Sequence, residues 1–171
     1  MRTPLVMCRL VSLLALPLLL AACAPAPIYP AHGSSFVSAT PEQVATTPAN
    51  FHGLQVVWGG RVISVHNLAS TSEIEILAYP LDSSQRPRVR QPATGRFIAI
   101  VPGFVEPMEY PAGALVTLHG TIAGSRAGDV GQAAYTFATV DSQAMHRWTA
   151  DEMRQGHPNV NVGIGIGGWI H

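Results

Sequence analysis

The chain has 171 residues, and ten basic residues balance ten acids, so the formal net charge is zero. A nucleic-acid binder shows a basic patch or stripe, and attachment to anionic lipids through charge needs a polybasic segment. The neutral composition therefore fits neither nucleic acid nor an anionic lipid surface as a partner. The length and a hydrophobic content of 47% suffice for one compact domain with its own core.

The first 22 residues have the pattern of a bacterial export signal. Arg2 and Arg9 are basic and residues 1–9 contain no acid, whereas Leu10 to Ala22 is almost wholly apolar and ends in small residues. The run is too short to cross a bilayer, which takes about 20 apolar residues. We therefore predict that residues 1–22 are a signal peptide, which leaves eight arginines against ten acids, or −2, in the mature chain.

Cys23 follows that signal directly and is the candidate lipidation site. The stretch Leu20-Ala21-Ala22-Cys23 resembles the lipobox of bacterial lipoprotein precursors. The resemblance implies a diacylglyceryl thioether and an acylated (palmitate-type) amine on Cys23, and several acyl chains anchor a protein stably. Ala24 instead of Asp implies the outer membrane. The alternative is a chance cysteine in an ordinary secretory signal.

The mature chain is then expected to have no free thiol. Cys8 leaves with the signal, and lipid consumes Cys23. A disulfide, a thiolate nucleophile and a cysteine metal site are thereby excluded.

Residues 23–50 are rich in Ala, Pro, Ser and Thr and are predicted to form a lipidated tether. Within it, Thr40 to Val44 can start one helical turn. Phe36 and Val44 are apolar and can fold back onto the following domain.

Residues 51–148 consist of short apolar runs separated by turn residues, which is typical of an all-β domain. One face of each strand is apolar and the other polar, as in a closed antiparallel sheet. We predict a small, OB-like barrel of about five antiparallel strands, followed by a Gly-rich C-terminal tail at residues 149–171. The predicted strands are Leu54–His66, Glu73–Tyr79, Arg96–Val101, Leu115–Ala123 and Gln132–Val140, with an extension of the last to Trp148 as the alternative.

The first strand contains a break in its alternation. Val56 and Trp58 are apolar at even positions, and Ile63 and Val65 at odd positions. One extra residue is needed for such a change, which predicts a bulge at Gly59-Gly60. A plain loop there is the alternative.

Several segments of this domain resemble the Slp family, starvation-inducible outer-membrane lipoproteins of Gram-negative bacteria. They include Val57–Ile63, Glu73–Asp82, Gly103–Pro107, Tyr110–Gly113 and Val116–Gly120. The resemblance implies an outer-membrane lipoprotein with its domain facing the periplasm, and it brings no established catalytic residue. Two departures are Tyr135–Val140, which lacks an expected proline, and the C-terminal tail.

The sequence predicts no enzyme, no metal site and no cofactor. Glu73 and Glu75 have a spacing compatible with a hydrolase pair, and arginines of the Ser83–Pro92 loop are candidate partners for them, but two acids on a wet strand face are commoner. Seven histidines lack the close spacing of zinc motifs. Gly124-Ser125-Arg126 is predicted to lie in a hairpin turn, not in a nucleophile elbow.

Four aromatic residues are candidate contacts for a ligand or partner: Trp58, Phe104, Tyr110 and Trp169. The Gly103–Gly113 loop is interpreted either as a lid over the core or as a binding lip. The tail with Trp169 either pairs as an edge strand or docks on a membrane or partner; the alternative is a loose chain end.

The predicted role is structural or stress-adaptive, with membrane lipid as the partner through acylated Cys23 and envelope proteins as candidate partners. The alternative is a binding module for a small ligand, a glycan or an envelope protein. A weaker alternative is an envelope hydrolase using Glu73 or Glu75.

Overall fold

The computed structural model describes residues 26–31 and 35–155. Cys23, and the end of the Gly-rich tail with Trp169, lie outside these ranges. A short helix, α1 (Pro41–Thr46), and a 3-10 turn (Pro48–Asn50) precede the sheet. Five strands follow, and helix α2 (Ala150–Gln155) comes after the last of them. The strands are β1 (Gln55–Asn67), β2 (Thr71–Tyr79), β3 (Arg96–Pro102), β4 (Leu115–Val130) and β5 (Ala133–Trp148).

The five strands form one sheet that closes on itself in the order β1-β2-β3-β5-β4. The predicted all-β, five-stranded architecture is confirmed. Four pairings are antiparallel, whereas β3 and β5 run parallel from Phe97–Ala138 to Ile100–Asp141. This one parallel pairing closes the barrel, and it makes the sheet mixed where an antiparallel one was expected.

The barrel interior is filled by apolar side chains that alternate along the strands. On β2, Ile74, Ile76 and Ala78 point inward, as their even spacing predicts, while Glu73 and Glu75 point outward. Because side chains in a strand alternate between the two faces, each strand contributes one row to the core. The fully buried core residues of large volume are Val56, Val62, Ile74, Ile76, Phe97, Val116, Leu118, Ile122 and Val140, together with Val44 of α1.

The bulge of β1 lies at Ile63, three residues beyond its predicted position. Inward even-numbered burial continues through Val62, and the β1–β2 register shifts between Val62 and Ser64. The prediction of a bulge at Gly59-Gly60 is therefore wrong. Both glycines are buried instead at close strand contacts: a Cβ on Gly59 would lie 2.7 Å from the Val116 carbonyl oxygen.

The β4–β5 hairpin is longer than predicted. Gly124-Ser125-Arg126 lies inside β4, not in a turn, and Gly131 at φ 64° forms the actual turn. A register shift between Ile122 and Gly124 lets the strand continue past the barrel. The polar and small residues that look like a turn in the sequence are here the exposed part of a strand.

Residues 26–31 and 35–50, named here the N-terminal strap, lie against the barrel. Thr40 caps α1 in a capping box with Gln43, as the sequence of this turn favours. Val44 of α1 is fully buried in the core, and the Val37 N–H donates to the Gln55 carbonyl oxygen at 2.9 Å. The predicted domain boundary at residue 51 stays a prediction, although the strap contributes directly to the core.

Candidate functional site

The two acids considered for catalysis are each paired with an arginine. Glu73 accepts two hydrogen bonds from Arg126, at 2.7 and 2.8 Å, and Glu75 accepts one from Arg96 at 2.5 Å. Neither partner comes from the Ser83–Pro92 loop, whose Arg86 pairs with Asp82 at 2.7 Å. The hydrogen bond from Arg126 lowers the pKa of Glu73 below its usual value. A general acid needs a raised pKa, so this environment opposes that role.

The Glu73–Arg126 pair leads to a prediction about pH. Because the folded-state pKa of Glu73 is lowered, its stabilising contribution is present above the unfolded-state pKa and is lost as pH falls through the folded-state pKa. We expect Glu73→Gln to cost less than about 1 kcal/mol at pH 7, since the pair is partly exposed, and to cost less still at pH 3. Urea denaturation at both pH values measures this difference, and a cost that grows at low pH would contradict it.

The histidines do not gather into a metal centre in the described part of the chain. Among residues 26–31 and 35–155, no group of three or more metal-ligating side chains lies together. Two histidines pack against aromatic rings. The ring centroid of His119 lies 5.1 Å from that of Phe36 and 6.0 Å from that of Tyr29, and the ring centroid of His146 lies 4.6 Å from that of Trp148. The His146 Nε2 is also 3.5 Å from a Glu152 carboxylate oxygen.

The strap is tied to the outer face of the barrel by Tyr29. Its N–H donates to the Gln85 side-chain oxygen at 2.8 Å, and the Gln85 amide donates back to the Tyr29 carbonyl oxygen at 2.9 Å. The Tyr29 ring covers His119, and burial raises the pKa of its phenol. These contacts fix the chain six residues after Cys23.

Trp58, a predicted contact residue, lies in the core beneath the strap. Its side chain is 6% exposed, its indole N–H donates to the Ala39 carbonyl oxygen at 2.7 Å, and its ring packs edge-on against Phe97. Trp58 lines part of a groove of about 330 Å³ between the strap and the end of β2.

The other predicted contacts in the described residues, Phe104 and Tyr110, share the loop after β3 but differ in burial. Phe104 is 71% exposed, whereas Tyr110 packs against the core, and burial raises the pKa of its phenol. Between them Val105 is buried, so the loop covers one end of the core while it exposes Phe104. Tyr110 lines an open groove of about 510 Å³, and Phe104 does not.

Two residues that matter here, Leu68 and Gln85, were not predicted from the sequence. Leu68, 49% exposed, lies in the β1–β2 turn beside the loop of Phe104. Leu68 follows the end of a predicted alternating strand, and this position in a turn could have indicated its exposure. Gln85 binds Tyr29 across 56 residues of sequence, and no local pattern marks such a contact.

The model of the outer membrane lipoprotein Slp family matches residues 20–167. This chain belongs to that family. The resemblance seen in the strand segments is thereby confirmed, together with the lipoprotein and outer-membrane assignment that the family carries.

Curated relatives of this Slp-family chain include two proteins of Escherichia coli (strain K12). The outer membrane protein Slp is 33% identical over 147 residues, which are 82% of this chain and 75% of that protein. The uncharacterized lipoprotein YeaY is 36% identical over 115 residues, or 65% of this chain and 59% of that protein. An uncharacterized protein of Haemophilus influenzae is 36% identical over 57% of this chain and 54% of its own length. The chain thus spans little more than half of the latter two.

Among solved structures, a small single-stranded DNA-binding protein from Streptomyces coelicolor has a TM-score of 0.39 and 14% identity, over 59% of this chain and 99% of that one. A similarity this weak says nothing about the Slp-family chain. No helix in the described residues is long and apolar enough to cross a membrane.

Proposed function

We propose that this chain is held at the outer membrane by acyl groups on Cys23, with its barrel on the periplasmic side, and that its role is structural or stress-adaptive. The observation that carries the proposal is the strap. It joins the predicted anchor to the barrel through the Tyr29–Gln85 hydrogen bonds, and it completes the core with Val44. A domain built onto its own anchor segment suits a protein whose task depends on being at the membrane.

A non-catalytic role is supported by the chemistry of the outer face. Glu73 and Glu75, the acids with hydrolase-like spacing, both have arginine partners. The hydrogen bond from Arg126 lowers the pKa of Glu73, which makes this carboxylate a poor proton donor. The third idea, an envelope hydrolase, is therefore not favoured.

The anchor is tested by Cys23→Ala in cells. We expect this variant to leave the membrane fraction and to lose labelling by radioactive palmitate, because two or more acyl chains are what hold the protein. The matched control is Cys8→Ala, which removes the other cysteine ahead of the predicted cleavage position. Membrane retention of Cys23→Ala at the level of Cys8→Ala would contradict the proposal.

A binding role is the second candidate, and the open groove beside Tyr110 favours it. The groove of about 510 Å³ runs between the loop after β3 and the second half of β5, where these strands have separated. Its other walls include Val101 and Met145, so an apolar ligand part would fit it. A ligand seated in this groove in an experimental structure would favour this candidate over a purely structural role.

A further inference from the structure

Three of the most exposed large apolar side chains lie at one end of the barrel. In the described residues these are Leu68, Phe104 and Met108, at 49%, 71% and 85% exposure, and they are named here the apolar rim. Leu68 follows β1 and the other two follow β3. Because Thr71 of β2 pairs with Pro102 of β3, both turns leave the barrel at the same end. Leu54, 40% exposed, precedes β1 and so lies at the opposite end.

Hydrogen bonds hold Phe104 in its outward position. On one side, the Ser72 hydroxyl donates to the Gly103 carbonyl oxygen at 2.7 Å. On the other, the Val105 N–H donates to the Asn67 side-chain oxygen at 3.1 Å, and the Asn67 amide donates back to the Val105 carbonyl oxygen at 3.0 Å. Val105 itself is buried in the core. Because both of its neighbours are fixed, the Phe104 side chain is held in an exposed position.

The charges near the apolar rim are of both signs and form no basic cluster. Arg61 donates to the Gly113 carbonyl oxygen at 3.4 Å, and Arg147 lies near Tyr110. Residues 68–70 and 102–113 contain two acids, Glu106 and Glu109, and no arginine. Attraction to anionic lipid needs a cluster of Lys or Arg close to the surface. Contact at this end is therefore expected to depend on apolar burial.

The short chain between Cys23 and Tyr29 favours the membrane over a distant partner as the surface that the apolar rim contacts. Tyr29 is fixed to Gln85, and it follows Cys23 by only six residue steps. A fully extended chain spans at most 3.3–3.6 Å per residue, which gives about 20 Å in all. The barrel therefore stays next to the bilayer, and the tether makes contact with that bilayer an intramolecular event with a high effective concentration.

We propose that the apolar rim inserts into the interfacial region of the phospholipid bilayer that holds the anchor. This proposal rests on the anchor at Cys23. Apolar groups of peripheral proteins bury about 5–10 Å into the boundary between headgroups and acyl chains. The barrel then meets the membrane at two places, the acyl groups and the rim, which fixes its orientation.

The test uses the lipidated full-length protein with a single added cysteine, because the predicted mature chain has no free thiol. Phe104→Cys and Met108→Cys are labelled with the environment-sensitive dye NBD and placed in phosphatidylethanolamine–phosphatidylcholine vesicles that contain nitroxide-labelled lipids. Leu54→Cys is the matched control from the opposite end. We expect a blue shift and strong loss of emission at positions 104 and 108, and neither at position 54. Adding salt should leave the result unchanged.

Flotation with the vesicles reports the anchor separately. A protein that floats but shows no quenching at position 104 would overturn the rim proposal and leave the anchor standing. A blue shift that is already present without vesicles would also overturn the rim proposal, because the tail or a second copy would then cover the rim. A protein that does not float would instead contradict the anchor.

Discussion

Gly60→Ala is expected to destabilise the barrel by about 3 kcal/mol, at the upper end of what overpacking costs. Gly60 faces Ala78 across the β1–β2 ladder. A Cβ at position 60 would lie 2.8 Å from the Leu77 carbonyl carbon and 2.9 Å from the Ala78 Cα, and the Leu77 carbonyl oxygen would be closer still. These are backbone atoms, so they cannot move aside without breaking the ladder that helps close the barrel.

Gly128→Ala is the matched control, because it also places a methyl group in a strand. Its nearest neighbours are ring carbons of Phe137 at 3.1 and 3.5 Å, which a small rotation relieves. Urea denaturation of both variants at pH 7 compares the free energies of unfolding. Equal losses of stability in the two variants would show that the close backbone approach is not the reason for glycine at position 60.

Val44→Asp is expected to cost several kcal/mol, because it places a carboxylate without a partner in an apolar core. Val44 is fully buried, although it belongs to a segment with the composition of a tether. The loss should appear both as a lower free energy of unfolding and as faster proteolysis within residues 35–50, since the strap would detach from the barrel.

Ala49→Asp is the control for the added charge, because Ala49 is exposed in the 3-10 turn that follows α1. We expect its stability to stay within about 0.5 kcal/mol of the parent, as is usual at exposed positions. A Val44→Asp protein that unfolds like this control would mean that the strap is not part of the folded unit.

The sequence predicted the strands well because each carries a period-two pattern of its own. Ile74, Ile76 and Ala78 alternate with polar residues, and their inward direction follows from that alternation alone. The same argument predicted a bulge in β1 from the change between Trp58 and Ile63. It misplaced the bulge, because glycine marks both bulges and close strand contacts, and only the packed neighbours distinguish them.

Contacts between distant segments were beyond local patterns. The parallel β3–β5 pairing and the length of the β4–β5 hairpin depend on which strands meet in space. For the site, Cys23 lies outside the described residues and its lipidation stays a prediction. Among the candidate contacts, the sequence could not separate exposed Phe104 from buried Trp58, since both are aromatic residues beside glycine. The strap covers Trp58, and proline-rich composition gave little sign of that cover.

The backbone of Gln85 has consequences for how the chain is built. At φ 66° it occupies the left-handed region, where glycine or asparagine is the usual choice and other residues carry strain of about 1–3 kcal/mol. Glycine would relieve that strain, but it would remove the side chain that holds Tyr29 on both its N–H and its carbonyl. The fold thus accepts local strain at Gln85, and in return its side chain helps to fix the point, six residues after the proposed lipid anchor at Cys23, where the chain joins the barrel.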